Sequence, residues 1–307
     1  MQLFVEILTG ITLPILGLVA LGYGVQRRLA FDIDTLTRMQ VYVLVPGALI
    51  YFPYAATVPL ETAWPVFWFT ALHFTFTFVM GWAIPALMGM NRNICGIIAF
   101  ATAFSNSGNY GIPLIQLTFP EDFVFYQTVV LSMHSLVIAP LAMLVFSTVK
   151  MSGRNLWRAL FSTPMLPAVA IGFLLKGFEV TLPTLLELPL KLISQAFAPM
   201  ALILLGVQLA AINGRIERAP LVLTMVLRMI MAPASAWAFA WALGFSPELT
   251  AFFVVGSAVP VAVLLAIFAS EYKAHRGLAS MIVFLSTLLS ALAVTGWVYA
   301  VRIAGLY

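Results

Sequence analysis

Apolar runs of membrane-crossing length follow one another along almost the whole of this 307-residue chain, with short polar stretches between them. A bilayer core takes about 20 residues of helix to cross. The runs fall near residues 4–25, 36–56, 64–89, 94–118, 123–149, 164–178, 187–212, 219–244, 249–270 and 277–302. Hydrophobic residues make up 63% of the chain and charged residues 8%, against about 25% charged in soluble domains. So thin a supply of charge cannot cover a water-facing surface, which excludes a soluble enzyme, a disordered chain and a nucleic-acid binder. A mean hydropathy of +1.05 asks for lipid as the solvent. The expected fold class is therefore an all-α polytopic membrane protein with ten transmembrane helices, its first partner being the lipid bilayer.

Charge placement sets an expected orientation. With the N-terminus outside, 11 of the 15 Lys and Arg residues fall in cytoplasmic loops, at Arg27, Arg28, Arg38, Arg92, Lys150, Arg154, Arg158, Arg215, Arg218, Lys273 and Arg276. That bias follows the positive-inside rule. Glu61, Glu121, Asp122 and Glu248 would lie in outer loops free of basic residues. The expectation is a multi-pass protein of the cell (inner) membrane with both termini outside. The basic pair Arg27-Arg28 follows the first apolar run instead of preceding it, so that run reads as a retained span and not a cleaved signal. Cys95 is the single cysteine, which leaves no internal disulfide and no cysteine metal cluster.

Prolines recur in common register. Pro14 and Gly24 return as Pro167 and Gly177, and Pro46 returns as Pro199, each 153 residues later; Pro113 and Pro260 are 147 apart. Five spans per repeat is an odd number, so two such halves must run in opposite senses through the membrane, as in many secondary transporters. The expected division is a first five-helix repeat over 1–150, a short cytoplasmic connection over 151–163, and a second, inverted repeat over 164–307.

Two runs are unusual. The fourth carries Ser105-Asn106-Ser107-Gly108-Asn109-Tyr110-Gly111-Ile112-Pro113 at its middle, and the ninth carries Gly256-Ser257-Ala258-Val259-Pro260. Proline removes a backbone donor and crowds the preceding turn, so the fourth span is expected to unwind around Asn106–Pro113 and the ninth at Pro260. Unwound backbone at membrane depth must be buried in protein or line a wet cavity, and helix N-termini there favour an anion. Pro14, Pro46, Pro85, Pro140, Pro167, Pro199 and Pro233 read as kinks. Arg228 sits within a span, where a charge is costly and marks function by default. It could balance an anionic substrate, snorkel to the cytoplasm, or cap the carbonyl end of a broken helix. His134 stands between Ser132 and Ser135 and offers a substrate or proton contact, or a plain helix–helix hydrogen bond, the role expected of His73. Trp64, Trp68, Trp157 and Trp297 read as interfacial anchors.

Several of these motifs, in order, resemble the auxin efflux carrier family, which includes the plant PIN-FORMED carriers and bacterial relatives linked to small dicarboxylates. Asn106 with Gly111-Ile112-Pro113-Leu114 is similar to the family's crossover in span four, Arg228…Pro233 to its span-eight signature, and Ala269…Glu271-Tyr272…His275 to the segment after span nine. The resemblance implies two inverted five-helix repeats with spans four and nine crossing at their prolines. It also implies a dimerising scaffold of spans 1, 2, 6 and 7, a transport domain that moves across it, and a substrate carboxylate near Asn106. Two features depart from the plant carriers: Gly256 and Ser257 stand where those have Gln, and the connection between the halves is short. They point away from auxin itself and toward a short-loop, bacterial-type member.

The expected function is a secondary carrier of a small organic carboxylate, a malonate- or malate-like dicarboxylate or an auxin-like monocarboxylate. It would work by elevator-type alternating access, as a homodimer. Asn106 and Asn109 would donate to the carboxylate, aided by half-helix N-termini at Pro113 and Pro260. Arg228 would add positive potential, and Ser105, Ser107, Ser257, Ser132 and His134 would contact substrate or a coupling ion. No cofactor is expected; sodium or proton coupling stays open. One rival from another class is an intramembrane serine hydrolase using Ser107 and His134.

Overall fold

The computed structural model describes residues 2–146, 164–212 and 217–307. The expected connecting loop 151–163, with Trp157, and the basic residues Lys150, Arg154, Arg158 and Arg215 lie outside the described residues. Twelve helices form among those described: α1 (Gln2–Leu29), α2 (33–55), α3 (Leu60–Leu87), α4 (Arg92–Ala103), α5 (107–118), α6 (Phe123–Phe146), α7 (Met165–Gly177), α8 (Thr184–Ala210), α9 (Arg218–Ala242), α10 (Pro247–Ser257), α11 (Leu264–Glu271) and α12 (Arg276–Ile303). Helix occupies each apolar run. Five helices are long and apolar enough to cross a membrane by themselves: α1, α3, α8, α9 and α12. The bent α6 makes a sixth if counted as one span, its 42° bend falling at Pro140. Near-complete helicity is what a lipid solvent demands, since helix is one of the few ways to satisfy every backbone group internally.

Prolines act in two ways here. Four π-helical turns occur among the described residues, at Leu8–Thr12, Gln40–Leu44, Ser107–Gly111 and Leu227–Met231. Each ends two residues before a proline: Pro14, Pro46, Pro113 and Pro233. A widened turn relieves the clash between the pyrrolidine ring and the carbonyl of the preceding turn, so the helix continues through the proline. The expected kinks at Pro14, Pro46 and Pro233 are thus π-turns. Pro167 and Pro199, their counterparts in sequence register, sit in helices without one.

Helices α1 and α8 pack closely, as do α2 and α7, and α8 also runs along α2. The α1–α8 contact is at backbone distance. A Cβ on Gly206 would fall 1.9 Å from the Val19 carbonyl oxygen, and one on Gly22 would fall 2.0 Å from that of Ile203. Glycine is required at both, because helices in lipid gain their association from such close packing. Against this group of four, α3 to α6 and α9 to α12 gather around the two broken helices, with α3 on α4, α9 on α10 and α11 on α12.

Candidate functional site

The two broken helix pairs cross at extended backbone. Helix α4 ends at Ala103 and α5 begins at Ser107; α10 ends at Ser257 and α11 begins at Leu264. Ser105 and Val261 form a single antiparallel bridge. The Asn106 N–H donates to the Pro260 carbonyl at 2.8 Å and the Ala262 N–H to the Phe104 carbonyl at 3.1 Å. The Val261 N–H finds the Ser286 hydroxyl of α12 at 3.1 Å. Backbone freed by the breaks is thereby paired across the crossing, inside protein.

The first break lies earlier than the sequence suggested. Unwinding covers Phe104–Asn106; from Ser107 onward the chain is helical again, so Pro113 sits within α5, buried, one turn beyond the crossing. The half-helix N-termini accordingly stand at Ser107 and Leu264, not at Pro113 and Pro260. The π-turn is the reason, since it lets α5 begin ahead of its proline. Pro260 does lie in the extended stretch, as expected.

Arg228 is the fastener of this crossing. It is 2% exposed. Its Nε and one terminal N–H group donate to the Val259 carbonyl at 3.0 and 2.7 Å, and the other terminal group donates to the Thr102 carbonyl at 2.9 Å. Thr102 lies in the last turn of α4 and Val259 follows α10, so one guanidinium serves the carbonyl ends of two half-helices, where a cation is favoured. Of the three roles open to it, the cap of a broken helix is the one its hydrogen bonds fill.

Two chambers flank the crossing. The larger, of about 140 Å³, is lined by Asn106, Ser107, Gly108 and Asn109 at the start of α5, by Gln40 of α2 and by Gln208 of α8. One water needs only ~10–15 Å³ on such a measure, so this chamber can hold a small organic molecule. Asn106 is 7% exposed, and its side-chain Nδ2 is buried without a hydrogen-bond partner. Asn109 lies 3.5 Å from Gln40 through its Oδ1. The N–H groups of Ser107, Gly108 and Asn109 open α5, and first-turn donors have no partner within their own helix. The start of α11, at Leu264, borders the same space. Unpaired donors and two helix N-termini converge here, an arrangement suited to an anion.

The smaller chamber, about 40 Å³, is bounded by Arg228, His73, Gln127, Gly256 and Ser257, under a lid of aromatic rings from Phe69, Phe74, Phe252 and Phe253. Phe69 and Phe253 stack at 3.7 Å between centroids. His73 is a helix–helix contact as expected: its Nε2 lies 3.0 Å from both the Ala232 carbonyl and the Ser235 hydroxyl.

Sequence had gathered the candidate residues into one site; the structure divides them. Asn106, Asn109 and Ser107 line the asparagine chamber, while Arg228 and Ser257 line the arginine chamber. Ser105 and His134 border both. Ser132 joins neither. Its hydroxyl returns to the Thr128 carbonyl of its own helix at 2.6 Å, and it faces an apolar groove with Trp64 and Phe173. Ser107 Oγ and His134 Nδ1 do meet, at 3.2 Å, but no Asp or Glu lines either chamber beside them among the described residues. The histidine therefore lacks the orienting carboxylate of a hydrolytic triad. Trp297, read as an anchor, instead donates to the Met229 carbonyl of a π-turn at 2.8 Å.

Sequence reasoning missed Gln127. It is 1% exposed, donates to the Ser107 carbonyl at 2.7 Å, and leaves its Oε1 unpaired. The signal was available, since an amide in the middle of an apolar run must be satisfied by protein or by a ligand.

A family model described as membrane transport protein matches residues 145–298, half of the chain. The chain belongs to that family. The resemblance to auxin efflux carriers is borne out, and the transporter's matched segment takes in Arg228, Ser257 and Pro260, while Asn106 lies before it. No curated protein matches the chain.

Proposed function

We propose that this transporter is a secondary carrier of a small organic carboxylate and that the asparagine chamber is its binding site. One observation carries the reading: the buried Asn106 Nδ2 has no partner, in a chamber that also receives the N-terminus of α5. A buried donor left unpaired costs about 1–3 kcal/mol, a cost that a carboxylate oxygen would remove.

In this reading the ten apolar runs are ten spans in two inverted repeats, and the crossing belongs to a unit that slides against α1, α2, α7 and α8. The chamber lies along that boundary, with Gln40 and Gln208 on one side and Asn106 and Leu264 on the other, so sliding would change which side of the membrane it meets. A homodimer formed through the four-helix group would hold the frame still. In the same reading the chain sits in the inner membrane with its basic loops in the cytoplasm and both termini outside, which the positive-inside bias supports.

The test is thermal stabilisation of the purified protein by malonate, malate, oxalate, pyruvate, indole-3-acetate and their neutral amides. A ligand of the folded state raises apparent stability. Acids should stabilise the wild type while amides do not, and Asn106→Ala should abolish the effect. Stabilisation by amides equal to that by acids would overturn the anion site.

A further inference from the structure

Among the described residues, Ser105 and His134 are the two that border both chambers. Only the histidine can take up a proton near neutrality. Its Nδ1 faces the Ser107 hydroxyl on the asparagine side at 3.2 Å. Its ring is held between those of Phe74 and Phe104, with centroids 6.0 and 5.7 Å away. The opposite edge, bearing Nε2, has no hydrogen-bond partner among the described residues. An imidazole so mounted forms part of the wall between two spaces large enough for water.

Among the described residues the charged and titratable groups around it are few. Helix α9 contributes Arg228, committed to the Thr102 and Val259 carbonyls. Helix α3 contributes His73, committed to Ala232 and Ser235. Helices α2, α5 and α8 present Thr37, Gln40, Asn106, Asn109 and Gln208, which are neutral, and α11 presents apolar residues. No Asp or Glu lines either chamber among the described residues. An imidazolium at His134 thus meets a like charge at Arg228 and no opposite charge while the asparagine chamber is empty. A carboxylate bound at Asn106 supplies the missing negative charge.

We infer that His134 links proton binding to carboxylate binding, so that the anion is taken up together with one proton. The step is a simple transfer. With Nδ1 carrying the ring hydrogen toward Ser107 Oγ, a hydronium ion reaching the imidazole through water gives its proton to Nε2, an N–H bond forms and a water molecule is left, and the same proton returns to water when the anion leaves. Because linkage is reciprocal, a bound proton must tighten anion binding by the same factor that the anion tightens proton binding. This rests on the carboxylate reading above.

The experiment uses pyruvate, oxalate and indole-3-acetate, whose carboxylates stay ionised between about pH 6 and 8, the range in which a histidine titrates. Affinity is measured across that range for the wild type and for His134→Gln, which keeps a side chain able to reach Ser107. The wild type should bind more tightly as pH falls, approaching about tenfold per pH unit for one linked proton, and the variant should give a flat profile. A second readout is proton uptake when pyruvate is added to wild-type protein in weak buffer, expected at about one proton per bound anion; it decides the matter even if the variant fails to fold. Binding that does not change with pH, a slope that survives in His134→Gln, or no proton uptake overturns the inference and leaves the carboxylate site standing. Failure of all three acids to bind at any pH overturns both.

Discussion

The chambers on the two sides of the crossing hold similar numbers of polar side chains but differ in what those groups have already found. In the arginine chamber the strongest donor is spent: the Arg228 guanidinium is tied to carbonyls at the ends of two half-helices. In the asparagine chamber the side-chain donor of Asn106 is unpaired although buried. Buried polar groups in folded proteins are nearly always satisfied. A satisfied donor therefore reads as a fastener and an orphaned donor as a contact waiting for an anion. The same distinction separates residues that sequence had treated alike, for Arg228 and Asn106 were both substrate candidates.

Substitutions can break this contrast. The largest expected effect is on stability, from Arg228→Ala. Removing the guanidinium leaves the Thr102 and Val259 carbonyls buried without their donor, which should cost about 1–3 kcal/mol for each carbonyl, read as a lowered unfolding midpoint in detergent. Arg228→Lys keeps the charge but not the fork that reaches both carbonyls, so it should recover only part of the loss. A stable alanine variant with weakened anion binding would make Arg228 a ligand contact and erase the distinction.

Asn106→Ala should do the opposite. The crossing is held by the Asn106 backbone N–H, which alanine retains, so stability should change little. A hydrogen bond to a charged group contributes about 1.5–3 kcal/mol, and carboxylate affinity should fall by about ten- to a hundredfold, measured by titration.

Gln127 connects the two regions and allows a finer test. A Cβ on Gly111 would fall 2.5 Å from Gln127 Nε2, which would displace the amide from the Ser107 carbonyl. Gly111→Ala should cost about 1–3 kcal/mol through that lost bond. Combined with Gln127→Ala the cost should not add, since both changes remove one interaction. Full additivity in the cycle would place the strain elsewhere.

The smallest effect is expected far from the crossing. Asp122, in the loop before α6, accepts from the Thr57 N–H at 2.9 Å and the Thr57 hydroxyl at 2.6 Å. The Thr57 hydroxyl holds the Asp122 carboxyl below the usual carboxylate value. A lowered carboxyl stabilises the folded state at neutral pH, and that contribution is lost as pH falls through the lowered value. Solvent screens this surface contact, so Asp122→Asn should cost at most about 1 kcal/mol. The difference from wild type should shrink as solutions are made strongly acidic.

Much of the fold was legible because lipid imposes a length and a hydropathy that single residues report. The ten apolar runs, the breaks near Asn106 and Pro260 and the family motifs needed no knowledge of contacts. Helix boundaries at prolines were less legible. Proline alone does not reveal whether a helix breaks, kinks or absorbs the ring in a π-turn, and the helix begins ahead of Pro113 because Ser107–Gly111 could widen.

Which chamber each polar residue enters was decided only in three dimensions. Ser132 and His134 are two positions apart on α6, yet one returns to its own helix while the other helps to divide two cavities. Arg228 lies more than a hundred residues from Thr102, and only the crossing brings the two carbonyl ends within reach of one guanidinium. The sequence by itself determined the solvent, the helices and the places where they must break, because burial in lipid acts on each residue locally. Whether a polar group ends as a fastener or as an open donor depends on partners brought from distant segments, and that only the tertiary structure decided.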